Sequence, residues 1–264
     1  DRELYVGLTQ NTLPGAVDMN RAFTHAKDGD DVTTAYYASS QMVVFTVERF
    51  GMPKVVDALK RWGQGSTTAD VIQKSFGVTS DAYDAAFRAW ALSRLSRYRG
   101  QFLFQPKSPP LPAAKLAAEA QPTSAPAHVD LALALLRSKK SKEAKGALEK
   151  AISLDPKDAR ARFVSAKVAL GDKDGEAAES HLAKMIENGA DGVQVRLALA
   201  DAAELRKNTK AQKNALEAAH RFDPSNAEPL KGLFDLALEE KDEDAALKTL
   251  RALAPLEEHD KRVW

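Results

Sequence analysis

The side chains that most readily hold a metal or move a proton are few in this chain. It has no cysteine, and its imidazoles are His25, His128, His181, His220 and His259. A catalytic zinc site on one helix needs His-Glu-x-x-His, two imidazoles a turn apart with the glutamate as base. No two of these histidines stand four residues apart, and none is followed by glutamate. No metal ligand and no cofactor are therefore assigned to this chain. His181 and His220 are expected to meet carbonyls or packing neighbours. Glu239-Glu240 and Glu257-Glu258 are adjacent, so on helices they diverge by about 100° and read as solvated charge, not as an acid pair. There is no thiol nucleophile, no glycine-rich phosphate loop and no Gly-x-Ser-x-Gly elbow.

The totals exclude further classes. A net charge of +1 with 28% charged residues gives no global field for nucleic acid or an anionic membrane. No apolar run approaches the roughly 18 residues that span a bilayer. Asp1-Arg2-Glu3-Leu4-Tyr5 has neither the basic start nor the apolar core of a signal peptide, and no initiator methionine precedes it. The natural chain is expected to extend upstream. At 264 residues the sequence accommodates two cores.

Residues 1–104 read as a helical subdomain. The first thirty are turn-rich, with Leu13-Pro14-Gly15 and Asp28-Gly29-Asp30-Asp31 as breakers. A helix follows from about Thr34 to Phe50, with Tyr37, Val44, Phe45 and Val47 as its apolar positions. Gly51 stops it, and Pro53 opens a helix to Trp62 expected to bury Val55, Val56, Leu59 and Trp62. Ser66, Thr67 or Thr68 caps a segment from Ala69 to Phe76. Thr79 or Ser80 caps a last helix to about Arg97 that carries Tyr83, Phe87 and Trp90. Residues 66–97 also have the outline of a DNA-binding helix-turn-helix. Asp81 and Asp84 at the start of its second helix, where phosphates would lie, weigh against that.

The ordered set Thr34-Ala35-Tyr36-Tyr37-Ala38-Ser39-Ser40, Glu48-Arg49-Phe50-Gly51, Phe76-Gly77-Val78 and Trp90 resembles the part of gluzincin metallopeptidases, of the peptidase-MA-like group, that follows the zinc site. The similarity covers about residues 1–98. It implies that Tyr37, with Tyr36 next to it, would donate a hydrogen bond to the oxyanion of a tetrahedral intermediate. The histidine pair of that family is missing here, so either the zinc ligands lie upstream or the lineage has lost them. The resemblance also implies a bacterial cell-envelope setting, while nothing in the residues assigns a compartment.

Residues 105–122 form a Pro-rich linker with a short capping helix. Pro106, Pro109, Pro110, Pro112, Pro122 and Pro126 are half of the 12 prolines, and the stretch around Pro109-Pro110 reads as a semi-rigid spacer. Ala113 to Ala120 has strong helix propensity and is expected to cover the first full repeat.

Beyond it the sequence is periodic. Leu154-Asp155-Pro156 and Phe222-Asp223-Pro224 lie 68 residues apart, twice 34, with Gly189-Ala190-Asp191 halfway and Pro122 one period earlier. A fixed period of this length marks stacked helix-turn-helix units. In that register small residues recur where paired helices meet, as Ala132, Ala166, Ala200 and Ala144, Ala178, Ala246. Large aliphatics recur beside them, as Leu148, Leu182, Leu216 and Leu250; Gln212, Phe234 and Ser165 depart from the pattern. This pattern in residues 123–264 resembles the tetratricopeptide repeat (TPR), with units at about 125–158, 159–192, 193–226 and 227–260. The expected fold is all-α: a helical subdomain followed by a TPR-type α–α superhelical array.

In that family the inner face is lined by first helices, which implies a groove binding a peptide or partner protein. Its positions here are Val129, Leu133, Leu136 and Arg137; then Arg160, Phe163, Lys167 and Leu170; then Gln194, Leu197, Asp201 and Glu204; then Glu228, Lys231, Asp235 and Leu238. The groove is expected to be apolar and basic at its start and acidic at its end. The Lys/Asn clamp of chaperone-binding members is missing, since Val129 and Leu133 fill two of its places. The favoured function is a non-catalytic interaction scaffold, the carboxy-terminal portion of a larger protein. The alternative is the accessory part of a zinc peptidase completed by Tyr37.

Overall fold

A lysine in the left-handed conformation closes four turns of the carboxy-terminal half. Lys139, Lys173, Lys207 and Lys241 have φ of 59°, 63°, 57° and 57°, and each stands 34 residues from the last. These are the turns inside the helical pairs, and the computed structural model, which describes residues 2–26, 29–105 and 107–256, builds the array around them. Asp28, Pro106, Glu257-Glu258, His259 and the end of the fourth repeat lie outside the described residues. The chain forms two compact units, Asp1–Arg99 and Gly100–Trp264. Among the described residues no helix is long and apolar enough to cross a membrane.

The first unit contains α1 (Arg2–Thr9), α2 (Met19–Thr24), α3 (Gly29–Phe50), α4 (Met52–Gly63), α5 (Thr68–Val71) and α6 (Ser80–Arg94). The stretch expected to be irregular thus holds two short helices. Leu4, Val6 and Leu8 of α1 are buried, and Arg88 Nη1 donates to the Leu8 carbonyl at 2.6 Å. That contact satisfies a carbonyl at the helix end, which a helix this short cannot do alone. The Gly29-Asp30-Asp31 run is the first turn of α3 and not a breaker, so the helix starts five residues before Thr34. Acidic residues suit a helix amino terminus.

Phe45 is the hub of this unit, with ring centroids 5.4 Å from Tyr83, 5.8 Å from Phe87 and 5.6 Å from Trp90. Beside it the Tyr83 hydroxyl donates to Thr46 Oγ1 at 2.7 Å, and Thr46 donates to the Met42 carbonyl at 2.6 Å. Burial pushes the Tyr83 phenol pKa up. Val44 is therefore not a core position; Ala35, Ala38, Met42 and Phe45 are.

Helix α4 is rotated from expectation. Val56, Leu59 and Trp62 are 43%, 59% and 41% exposed, while Ala58 is buried. Asp57 accounts for the rotation: it accepts from Ser75 Oγ at 2.6 Å and from Arg61 Nε at 2.9 Å, tying this side of the helix to Ser75. The segment after α5 continues as a π-turn, Ile72–Phe76, before Gly77 at φ 73°. Thr67 caps α5 and Thr79 caps α6. Helix α6 stops at Arg94, and Ser96–Tyr98 is a 3-10 turn. Gly15 is required by close approach, because a Cβ there would collide with the Asp84 carboxylate that accepts from Ala16 N.

The second unit runs α7 (Leu111–Ala120), α8 (Ala125–Arg137), α9 (Ser141–Leu154), α10 (Ala159–Gly171), α11 (Gly175–Glu187), α12 (Val193–Leu205), α13 (Thr209–Phe222), α14 (Ala227–Glu239) and α15 (Glu243–Leu253). Each helix packs on the next from α7 onward. Helix α7 buries Ala114 and Ala118 against α8. The alanines that mark the period, Ala132, Ala166, Ala200, Ala144, Ala178 and Ala246, are all buried. Caps share the rhythm: Asp174, Asn208 and Asp242 cap second helices, while Ser124, Asp158 and Asn226 cap first helices. The two phases have one exception each, Lys140 and Gly192, which give no side-chain cap.

Two expectations follow. A non-glycine residue in the left-handed region is strained by about 1 kcal/mol. Lys207→Gly should therefore raise the array's melting temperature by about 2–4 °C, read by far-UV circular dichroism; a fall would show that the lysine side chain holds the turn. His181 Nδ1 is buried without a hydrogen-bond partner, and desolvation, with Arg162 nearby, holds its pKa below the usual 6.5. The folded chain prefers the neutral ring, so this stability is full above pH 6.5 and is lost as pH falls through the depressed value. His181→Gln should flatten the drop in melting temperature between pH 7.5 and 5.5.

Candidate functional site

The expected groove residues are on the first helices α8, α10, α12 and α14, but the first half of that face is already covered. Val129 is 0% exposed, Leu133 8% and Phe163 6%. Residues 101–105 and 107–110 of the same chain lie along that face, with Phe102 and Phe104 on Phe163 and Phe104 against the cluster that holds Val129 and Leu133. Residues 101–104, expected to close the helical subdomain, and the start of the expected spacer together lie as an extended strap on the array.

The strap enters at Gly100, φ 79°, and Gln101 forms a parallel bridge with Asp191 in the turn before α12. Phe102 N donates to the Asp191 carbonyl at 2.6 Å, and Gln101 Nε2 donates to the Phe222 carbonyl at 3.1 Å. Phe104 N donates to Gln194 Oε1 at 2.8 Å. Further on, Arg137 Nη1 donates to the Ser108 carbonyl at 3.2 Å. Alternate residues of an extended chain share a side, and Phe102 and Phe104 both pack on Phe163, at 5.4 and 5.1 Å between centroids. Phe104 and Leu111 also rest on the cluster containing Val129 and Leu133. The strap thus runs from the third repeat towards the first.

Gly192 makes room for it. A Cβ there would stand 3.1 Å from Phe102 N and 3.2 Å from the Gln101 Cβ. Ser124, Asp158 and Asn226 hold the equivalent position in the other repeats, each capping a helix. The neighbouring Asp191 is held in place by Arg196, at 2.9 and 2.6 Å from its two carboxylate oxygens, and accepts from Gly192 N at 2.8 Å.

Of the groove residues expected from the sequence, Arg137, Phe163 and Gln194 contact the strap, and Val129 and Leu133 lie in the cluster on which Phe104 rests. Arg160 is instead paired with Asp130 at 2.7 Å, and Lys167 with Asp201 at 3.7 Å. Asp201, Glu204, Glu228, Asp235 and Leu238 are exposed, and Leu197 and Lys231 half-buried, on the later repeats. The open part of the face is therefore the acidic part. The strap was missed because Phe102-Leu103-Phe104 precedes a proline-rich run; the readable signal was Gly192 in a series of cap residues.

In the first unit Tyr37 is half-buried and lines an open cleft with Gln41, Trp90 and Arg94. Arg94 lies 4.9 Å over the Trp90 ring and 3.3 Å from Glu48. Arg88 and Arg94, basic residues of the second helix of the helix-turn-helix outline, are thus engaged inside the unit, Arg88 on the Leu8 carbonyl. Among the described residues no three histidine, aspartate or glutamate side chains group to hold a metal. Tyr36 is 67% exposed, with its ring 4.9 Å from Phe23.

Gly192→Ala should lift the strap. Amide exchange at Phe102 and Phe104 is expected to rise about tenfold or more while the α10 and α12 interiors stay protected. Unchanged protection would mean the slot accommodates a methyl.

No protein-family model and no curated protein sequence matches the chain. Solved structures do. MamA residues 41-end from Desulfovibrio magneticus RS-1 superposes with a TM-score of 0.53 at 17% identity, covering 57% of this chain and 85% of that one. PilF of Pseudomonas aeruginosa gives 0.50 at 21%, covering 57% and 68%. YrrB, described as a TPR protein with an unusual peptide-binding site, gives 0.50 at 19%, covering 55% and 74%. At these identities the likeness speaks to architecture, and the architecture is that of the tetratricopeptide-type α–α superhelical array.

Proposed function

We propose that this chain is a non-catalytic docking scaffold whose array binds an extended segment of a partner protein along its first helices. The observation that carries the reading is the strap. The groove face already holds an extended polypeptide by main-chain hydrogen bonds and ring contacts, the means by which peptides are recognised in such grooves. The peptide-binding site named for YrrB, a neighbour in fold, supports the same reading.

The open half of the face carries Asp201, Glu204, Glu228 and Asp235 with Leu197 and Leu238 between them. Carboxylates of one sign on a surface of this kind steer and orient a basic segment more than they add affinity. Peptides selected from a random display library on the intact chain should be enriched in lysine and arginine. Their affinity should fall at least about fivefold in the Asp201→Lys, Glu204→Lys, Asp235→Lys variant, and fall as salt rises, because exposed charges are screened. Selected peptides that bind the charge-reversed chain equally well would remove the acidic half of the groove from the proposal.

A second reading rests on the cleft beside Tyr37. There the phenol would serve as oxyanion donor to a zinc site whose ligands come from residues outside these 264. In the longer reading frame, chelator-sensitive peptide hydrolysis that drops about 10²–10³-fold in Tyr37→Phe would establish it. Hydrolysis indifferent to that substitution would end it.

A further inference from the structure

The strap has the geometry of a ligand more than that of a structural joint. Its main-chain contacts, Phe102 N to Asp191 O, Phe104 N to Gln194 Oε1 and the Ser108 carbonyl to Arg137, would be offered to any extended chain. Its side-chain selectivity reduces to two rings two residues apart on Phe163. The clusters around Leu148 and Leu182 are built from buried helix residues, and Phe102 and Phe104 pack against them as half-buried additions. Against this, the third repeat has given up its first-helix cap so that a backbone can approach at Gly192. A surface shaped to admit main chain, at the cost of local helix stability, is a slot for a peptide.

We infer that the slot formed by Phe163, Gln194 and the Asp191-Gly192 turn takes, in trans, an extended partner segment with an aromatic–any–aromatic pattern, for which Phe102-Leu103-Phe104 is the resident occupant. This rests on the scaffold reading and adds to it a partner class and a competition. The strap is tethered to the array through α7, so its effective concentration at the slot is of millimolar order. A partner segment of equal intrinsic affinity is therefore held off until it is presented at comparable concentration, or until the strap is drawn out. The apparent affinity of the slot is its intrinsic affinity scaled by the fraction of chains with the strap released. Gly100, in a left-handed conformation, and the prolines after Phe104 bracket the segment that would leave.

The test uses the full chain and a fluorescent peptide of residues 100–110, with a second peptide in which both phenylalanines are alanine. Fluorescence anisotropy compares the wild-type chain, Phe102→Ala/Phe104→Ala, and that variant with Gln194→Ala added. The emptied chain should bind the aromatic peptide at least about tenfold more tightly than wild type. It should ignore the alanine peptide, and it should lose several-fold affinity with Gln194→Ala. Should the double variant fail to fold, wild-type chain is titrated with the aromatic peptide into the millimolar range, and amide exchange at Phe102 and Phe104 should accelerate.

A folded, emptied chain that binds no better than wild type overturns the inference, as does equal binding of both peptides. Protection of Phe102 and Phe104 that stays unchanged at saturating peptide also overturns it. So does light scattering that finds a wild-type dimer which the double alanine variant converts to monomer, since the occupant would then be a second copy. Basic library peptides that still bind through Asp201 and Asp235 in any of these cases would leave the scaffold reading intact. Loss of those as well would take both.

Discussion

Every feature of the second unit depends on how closely its helices can approach. Ala132, Ala166 and Ala200 stand at one point of the period and Ala144 and Ala178 at another, all buried. A methyl group at the crossing lets two backbones come together, and leucines flanking the crossing fill the space that remains. Leu148 and Leu182 do this in the first two pairs, with Met185 beside Leu182. Since a single helical pair leaves one apolar side bare, stacking is what makes the unit stable, and neighbours only have to match at a repeated interface. The turns then need nothing more than the right handedness, which four lysines adopt despite its strain.

That repetition is why so much of the array was legible in the sequence. The 34-residue spacing located the turns, and the alanines and leucines fixed which face of each helix is inside. The first unit has no repeat to average over, and single-helix patterns misled there. Val56, Leu59 and Trp62 make a convincing apolar stripe on α4, yet they face outward because Asp57 is tied to Ser75 and Arg61. Hydrophobic periodicity shows that a helix has a side; it does not show which partner reaches that side first. Helices α1 and α2 escaped notice because they are too short for periodicity and are held by tertiary contacts such as Arg88 on Leu8.

The candidate groove was half legible. Positions carried over from the repeat pattern placed Phe163 and Gln194 on one surface, and the strap packs on them, with Phe104 also against the cluster of Val129 and Leu133. Sequence reasoning assumed that this surface faces solvent. Residues 101–104 read as the end of the helical subdomain, and those after them as a spacer because prolines favour extension. Extension was right, but an extended chain beside a groove is also a groove ligand, and Phe102 and Phe104 are what turn the one into the other. The polarity expected along the groove is altered for the same reason. Its apolar start is spent on the strap, Arg160 is paired with Asp130 and Lys167 with Asp201, and the exposed groove residues of the later repeats are mainly carboxylates.

Gly192 sets the third repeat apart from its siblings. Engineers who stabilise repeat proteins often average the units and write the shared residue type into each position, which here would place a capping serine, aspartate or asparagine at 192. The helix would gain a cap, the strap would be pushed out, and the averaged protein would be a sturdier rod with no seat for a backbone. In this array the irregular unit seats the strap, and the regular ones hold that seat in place.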